Sequence, residues 1–266
     1  MAPSVAGSAD MGEHRPRVRL APGTRLSERG DGRWQLGLHA DRRLVLAAEA
    51  TDHLLLARLR TGVDPLRVSV PQRELLVRIG SAGLLVPCDP PPASGAVSVD
   101  APGDTRAAVV AALSRAGLAV TEAAGALALV VTTGAEVRRD RLDPLVRDDL
   151  PHLLLTAVAG RVRLGPLVVP GVTSCLRCVD EHLTDRDPRH PLVVHHHLER
   201  AVDDRTTPGD LALGLAWAAR DARSWLTGGR PTTWAATVEL TETGPVTQTW
   251  SRHPRCGCAW GEALLA

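Results

Sequence analysis

Cys175-Leu-Arg-Cys178 and, much further along, His253-Pro-Arg-Cys256-Gly-Cys258 decide how this chain is read. A structural zinc site is closed by four ligands in a tetrahedron, and four thiolates are among its commonest sets. A C-x-x-C turn places two sulfurs on one knuckle, and a C-x-C pair around Gly257 does the same from a tight turn. Pro170 and Gly171 shape the approach to the first pair, Pro254 and Gly257 the second. The spacing therefore predicts one structural zinc held by Cys175, Cys178, Cys256 and Cys258. A redox C-x-x-C of the thioredoxin kind follows a strand near the start of its domain. This one lies beyond residue 170 and has a second pair to join. The metal would tie the tail of the chain to the exit of a hairpin expected at 161–169, and closing so long a loop is where a cross-link stabilises most in theory. Cys88, beside a proline-rich stretch, is left over with no assigned role. His253 and the run His195-His196-His197 could also bind metal, but a triple histidine is ordinarily a solvated loop or helix start.

Upstream, residues 16–87 read as a small module. Val18–Leu20 suggests a strand. Residues 34–38 alternate in polarity as a half-buried strand does, and 44–46 return as the other arm of a hairpin. Thr51 or Asp52 caps a helix over 53–60, with Leu55, Leu56 and Leu59 on one side. Pro71 opens a second helix over 71–80, with Leu75, Leu76 and Ile79 as its apolar stripe. A strand at 84–86 follows. Strands, helix, helix, strand is the plan of a winged helix-turn-helix. Residues 1–15 read as a disordered start and 88–96, with three consecutive prolines, as a stiff linker.

Residues 97–266 carry an α/β pattern. Strands are expected at 96–99, 118–120, 127–131 and 153–158. Their continuous apolar runs suit parallel strands covered on both faces. A helix over 104–116, capped by Asp104 or Thr105, and a charged helix over 138–149 lie between them. Residues 161–164 and 167–169 read as a hairpin around Gly165-Pro166. The stretch 184–208, rich in Asp, His and Pro, reads as a loop. An amphipathic helix spans 209–227, with Leu211, Leu215, Ala218, Ala222, Trp225 and Leu226 on one face. An antiparallel pair at 234–240 and 245–250 ends the pattern.

Composition narrows the function. The chain has 266 residues, 31 basic and 30 acidic, for a net charge of +1, which is no footprint for nucleic acid. There is no run of about 18 apolar residues for a membrane span and no signal peptide at the start, so a reducing cytoplasmic setting is expected. Lysine, asparagine, phenylalanine and tyrosine are absent. A P-loop lysine or a lysine Schiff base is therefore impossible. The turn after the strand at 96–99 is Asp100-Ala-Pro-Gly103-Asp-Thr-Arg106. A phosphate cradle needs several glycines there, and this turn offers one, with a proline and two aspartates. No ATP site is expected, and Gly103 reads as a turn glycine.

Together, Gly165-Pro-Leu-Val-Val-Pro-Gly-Val-Thr-Ser-Cys-Leu-Arg-Cys-Val-Asp180, Asp185-Arg-Asp-Pro188 and His253-Pro-Arg-Cys-Gly-Cys258 resemble the ThiF-like (ubiquitin-activating-enzyme-like) partner proteins of azoline-forming peptide cyclodehydratases. These are the leader-peptide-binding proteins of thiazole/oxazole-modified peptide pathways. The resemblance covers roughly residues 16–258. It implies a winged-helix peptide recognition element followed by a degenerate Rossmann-like ThiF-type domain with a four-cysteine zinc site. It also implies an adaptor that adds a precursor leader as a strand and docks on a YcaO-type enzyme, the chain being too short to include that enzyme. Homodimers occur among such relatives. The peptide groove would lie between the hairpin at 34–46 and the helix at 71–80, with Arg73, Leu76 and Arg78 as its candidates. Active adenylating relatives keep a glycine-rich loop and a lysine that this chain lacks. A divergent adenylyltransferase is the alternative, and a winged-helix DNA-binding regulator a further one, weakened by the near-zero net charge.

Overall fold

The computed structural model describes residues 17–88, 93–199 and 206–259. The expected disordered start and most of the proline stretch lie outside them. The chain divides into two compact units, Met1–Pro91 and Pro92–Ala266.

In the first unit β1 (Val18–Leu20) pairs antiparallel with β5 (Leu85–Pro87). The strands β2 (Leu26–Glu28), β3 (Arg33–Leu36) and β4 (Leu44–Ala47) form an antiparallel meander. The expected hairpin is therefore present, with β2 as an extra strand outside it. Two helices, α1 (His53–Arg58) and α2 (Val70–Ser81), supply the core: Leu55, Leu56, Leu59, Leu75, Leu76 and Ile79 are all buried, with Leu36 and Leu46 from the sheet. Ser69 and Gln72 form a reciprocal capping box at the start of α2. Cys88 Sγ occupies the space that a Cβ on Gly62 would need.

Asp52 caps α1 by accepting the Leu55 N–H at 2.8 Å, and it also receives the Gln72 amide at 2.9 Å. Those two bonds, the backbone one first, hold its carboxyl below the ordinary carboxylate range. Because the folded value lies below the unfolded one, this contribution is complete above about pH 4 and is lost as pH falls through the folded value. Asp52→Ala is expected to cost about 1 kcal/mol at pH 7 in urea unfolding, and much less at pH 3.

The second unit is built on a seven-stranded sheet in the order β12-β11-β10-β9-β8-β6-β7. Strands β6 (Val97–Asp100), β7 (Val120–Thr121), β8 (Leu127–Thr133) and β9 (His152–Val158) run parallel. Strands β10 (Arg161–Val168), β11 (Ala236–Thr241) and β12 (Gly244–Thr249) continue from β9 antiparallel. The pleat sends Leu127, Leu129 and Val131 to a core shared with α3 (Gly103–Arg115) and α7 (Pro208–Leu226). Val130 and Leu154 point to the other face, where they meet Leu176 and Val179 of α5 (Leu176–Arg186) and Trp250. Trp250 donates its indole N–H to Thr237 Oγ1 at 2.9 Å. Continuous apolar strands follow from cover on both faces. Asp221 breaks the apolar face of α7. It is 1% exposed and accepts from Thr232 Oγ1, Thr233 N and Thr233 Oγ1, tying α7 to the approach to β11.

Four expectations are corrected. Gly165-Pro166 is no hairpin turn: β10 is one strand, and its pairing with β9 shifts register between Leu164 and Leu167. A proline cannot donate to a ladder, and the irregularity absorbs it. The loop expected at 184–208 contains the end of α5 and all of α6 (His190–Glu199). Pro188 separates the two helices and Pro191 falls in a first turn, where its missing N–H costs nothing. The helix expected at 138–149 is a short 3-10 turn, Arg139–Arg141, and then α4 (Asp143–Arg147), with Pro144 in the first turn of α4. Finally, α3 starts at Gly103, and Pro102 stands at its N-cap without a side-chain bond, so neither Asp104 nor Thr105 is the cap and Gly103 is helical.

Gly165 has φ +89°, and a Cβ there would lie 2.4 Å from the Ala236 carbonyl oxygen of the neighbouring strand. Gly165→Ala must strain the backbone and part β10 from β11, so a loss of about 3 kcal/mol in urea unfolding is expected.

Candidate metal centre

Where β10 ends, Thr173 Oγ1 accepts the Val169 N–H at 2.8 Å and donates to Leu167 O at 3.1 Å. This clasp turns the chain so that Cys175 becomes the N-cap of α5 and Cys178 falls in its first turn. The second pair comes from the segment after Trp250. Its entry is held by His253, 3% exposed. His253 Nε2 donates to Asp185 at 2.9 Å, Nδ1 accepts the Arg255 N–H at 3.2 Å, and the His253 carbonyl accepts from Cys256 N at 2.9 Å. Arg255 reaches back to Glu181 at 3.0 Å and to Asp185. His182, Asp185 and His253 lie close enough to suggest a second ion, but both ring nitrogens of His253 are spent on hydrogen bonds.

The four sulfurs lie within 4.8 Å of one another. Cys175 to Cys178 is 3.8 Å, Cys175 to Cys256 is 3.6 Å and Cys178 to Cys258 is 3.3 Å. A tetrahedron with zinc–sulfur bonds of about 2.3 Å has edges of about 3.8 Å, so the cluster fits the ion. Cys175, Cys178 and Cys256 are buried and Cys258 is half-buried. The bare thiols repel one another's ionisation. Hydrogen bonds from Cys175 and then Cys258 favour the thiolate at Cys178, whose pKa falls, while that of Cys175 rises. Burial pushes Cys256 up to about 12. Four thiolates require a cation between them, and zinc would supply that charge and a cross-link.

The other predicted positions fall differently. Arg73 and Arg78 are exposed on α2. Leu76 is only 5% exposed and packs in the core of the first unit, so it cannot face a groove. The solvent side of α2 carries Val70 and Val77, 67% and 63% exposed, with Arg73 between them in sequence. The three- and four-residue spacing that puts these three on one face is the signal for them. His195, His196 and His197 lie on α6 and join no metal-ligand cluster among the described residues.

Ion pairs cluster at the carboxyl ends of β6 and β7, beside α3. Arg106 bonds the Val99 carbonyl at 2.8 Å and both oxygens of Glu122 at 2.7 and 2.9 Å. Arg141 holds Asp100 through both oxygens, one of them at 2.7 Å from Nε. Next to α5, Arg139 is nearly buried and binds Asp180 at 2.8 and 2.7 Å and the Val137 carbonyl at 2.6 Å. Burial disfavours its charge, but Asp180 and Glu136 outweigh that and hold its pKa above the ordinary value. Glu136 also takes two bonds from Arg163 at 2.7 Å.

No protein-family model and no curated protein matches this chain. Solved structures do. A heterocyclase in complex with substrate and cofactor superposes with a TM-score of 0.68 at 18% identity, covering 92% of this chain and 39% of the other. The heterocyclase TruD gives 0.68 at 20% identity over 92% of this chain and 43% of its own. The chain thus spans about two fifths of the length of these heterocyclases. E. coli MccB with MccA-N7isoASN gives 0.62 at 12% identity, covering 91% of this chain and 99% of that one. The mixed α/β fold is therefore shared with heterocyclase and MccB structures.

Proposed function

We propose that this chain is a leader-peptide-binding adaptor. It presents a ribosomally made precursor peptide to a separate YcaO-type cyclodehydratase in the cytoplasm, for thiazoline or oxazoline formation. The first unit is a winged-helix recognition element, and the second a degenerate Rossmann-like ThiF-type domain with structural zinc on Cys175, Cys178, Cys256 and Cys258. The observation that carries this reading is the cluster of ion pairs at Asp100 and Glu122, beside the start of α3. Arg141 and Arg106 already neutralise its carboxylates, and no glycine-rich turn or lysine is there for a triphosphate. Support for the peptide role comes from the open edges of the three-stranded sheet, where a leader can add by main-chain hydrogen bonds. Val70, Arg73 and Val77 on the solvent side of α2 would select side chains, with Arg78 as a further cation.

Affinity capture of the tagged full chain from a lysate of its host, read by mass spectrometry, tests the proposal. The expected result is a short ribosomal peptide together with an ATP-using cyclodehydratase, the peptide being lost from Val77→Glu. Recovery of nucleic acid, or of neither partner, defeats it. A second reading, a divergent adenylyltransferase, draws on MccB, whose whole length this chain matches and which has been solved with ATP. Saturable ATP binding by the purified chain would favour that reading.

A further inference from the structure

A cavity of about 440 Å³ opens beside the cysteine cluster, between α4 and the start of α5. Its size suits a small ligand. Leu142, Val146 and Leu176 give it an apolar floor. Three of its charged groups are already paired: Arg177 holds both oxygens of Asp143 at 2.9 and 3.0 Å, and Arg139 is saturated by Asp180 and Glu136. Arg147 is exposed at the rim and has no ion-pair partner among the described residues.

His152 lines the same cavity although it is only 1% exposed. Its Nδ1 lies 3.0 Å from the Leu150 carbonyl, which can only accept, so the ring proton is on Nδ1. Nε2 is then an acceptor, and no group among the described residues donates to it. A ligand N–H entering the cavity can supply the donor that Nε2 lacks within the protein. Burial, partly opposed by the Leu150 carbonyl, holds the pKa of this ring below the ordinary imidazole value and keeps it neutral.

An exposed cation, an acceptor and apolar residues around one cavity suit a ligand that carries an anion, an N–H and an apolar side chain. We infer that this cavity binds an N-acyl α-amino acid with an apolar side chain: the carboxylate meets Arg147, the amide N–H donates to His152 Nε2, and the side chain rests on Leu142, Val146 and Leu176. The same chemistry is offered by a free acylated amino acid and by the C-terminal residue of a peptide. The site is independent of the adaptor reading, because it lies in the second unit and needs neither leader nor enzyme partner.

The test is calorimetric titration of the zinc-loaded full chain with N-acetyl-leucine and N-acetyl-leucinamide, followed by the ¹⁵N signal of His152. Saturable binding of the acid, at least about tenfold weaker binding of the amide and a shift of Nε2 are expected. Arg147→Gln, at an exposed position, should fold normally and erase the preference for the acid. His152→Gln should weaken both ligands. Equal affinities for acid and amide in the parent chain, or no saturation by about 10 mM acid, would overturn the inference. Titration with acetyl-Ala-Ala-Leu separates the sources: tighter binding than N-acetyl-leucine supports a peptide tail, and equal or weaker binding supports the free acylated amino acid.

Discussion

Cys178→Ser is expected to strip the chain of zinc and to lower its stability by at least about 4 kcal/mol. Cys178 is fully buried, and its sulfur touches Cys175 and Cys258, one from each pair. A serine hydroxyl at that place is a poor ligand, and three thiolates hold the metal far more weakly than four. Without the ion, residues 251–258 keep their hydrogen bonds from Ser251, His253 and Arg255 to α5 but lose the cross-link between the two cysteine pairs. Metal content by mass spectrometry and urea unfolding followed together check this. Chelation of the parent chain should give the same loss, and Cys88→Ser should give none. Full zinc retention in Cys178→Ser would show that the cluster is held by something else.

The second large effect is expected at Arg139. Its side chain is 12% exposed, and it binds Asp180 and Glu136, themselves 24% and 13% exposed. Removing one partner of such a buried set strands the other charges, which costs more than the set contributes when intact. Arg139→Ala should therefore lose about 4 kcal/mol near neutral pH. Adding Asp180→Asn to the variant should recover part of it. A loss below about 1 kcal/mol would mean that solvent already screens the network as it does a surface pair.

How far the sequence reaches is set by how many structures a residue pattern allows. Two tight cysteine pairs allow few, and their sulfurs do converge. A continuous apolar run such as Leu127–Val131 is readable because both of its faces are covered. The acidic, histidine-rich stretch after Cys178 is not readable. Its helices α5 and α6 bury few side chains, and their prolines sit at ends where they do no harm, so composition imitates a loop. Gly165-Pro166 misleads for the opposite reason: the dipeptide that commonly makes a turn here makes an irregularity inside a strand. Leu76 shows a conflict internal to the sequence, since one side chain cannot both complete the stripe with Leu75 and Ile79 and face a ligand. His152 gives no signal beyond being a polar residue that opens an apolar run. Its interest comes from Leu150 and from the cavity wall, which only the fold brings together.

Trp250 gives the candidate metal centre an optical signature. The chain has no tyrosine, so its near-ultraviolet absorption and emission belong almost wholly to six tryptophans. The Trp250 indole is 9% exposed, with the Arg186 guanidinium 5.5 Å from its ring centre and the His182 ring 6.0 Å away. Both neighbours come from α5, the helix that carries Cys178. Any loosening of the knuckle therefore moves two polarisable or charged groups across an indole face and lets water reach it. Loss of the ion should appear as a red shift in fluorescence before the sheet itself unfolds, giving a label-free clock for metal release.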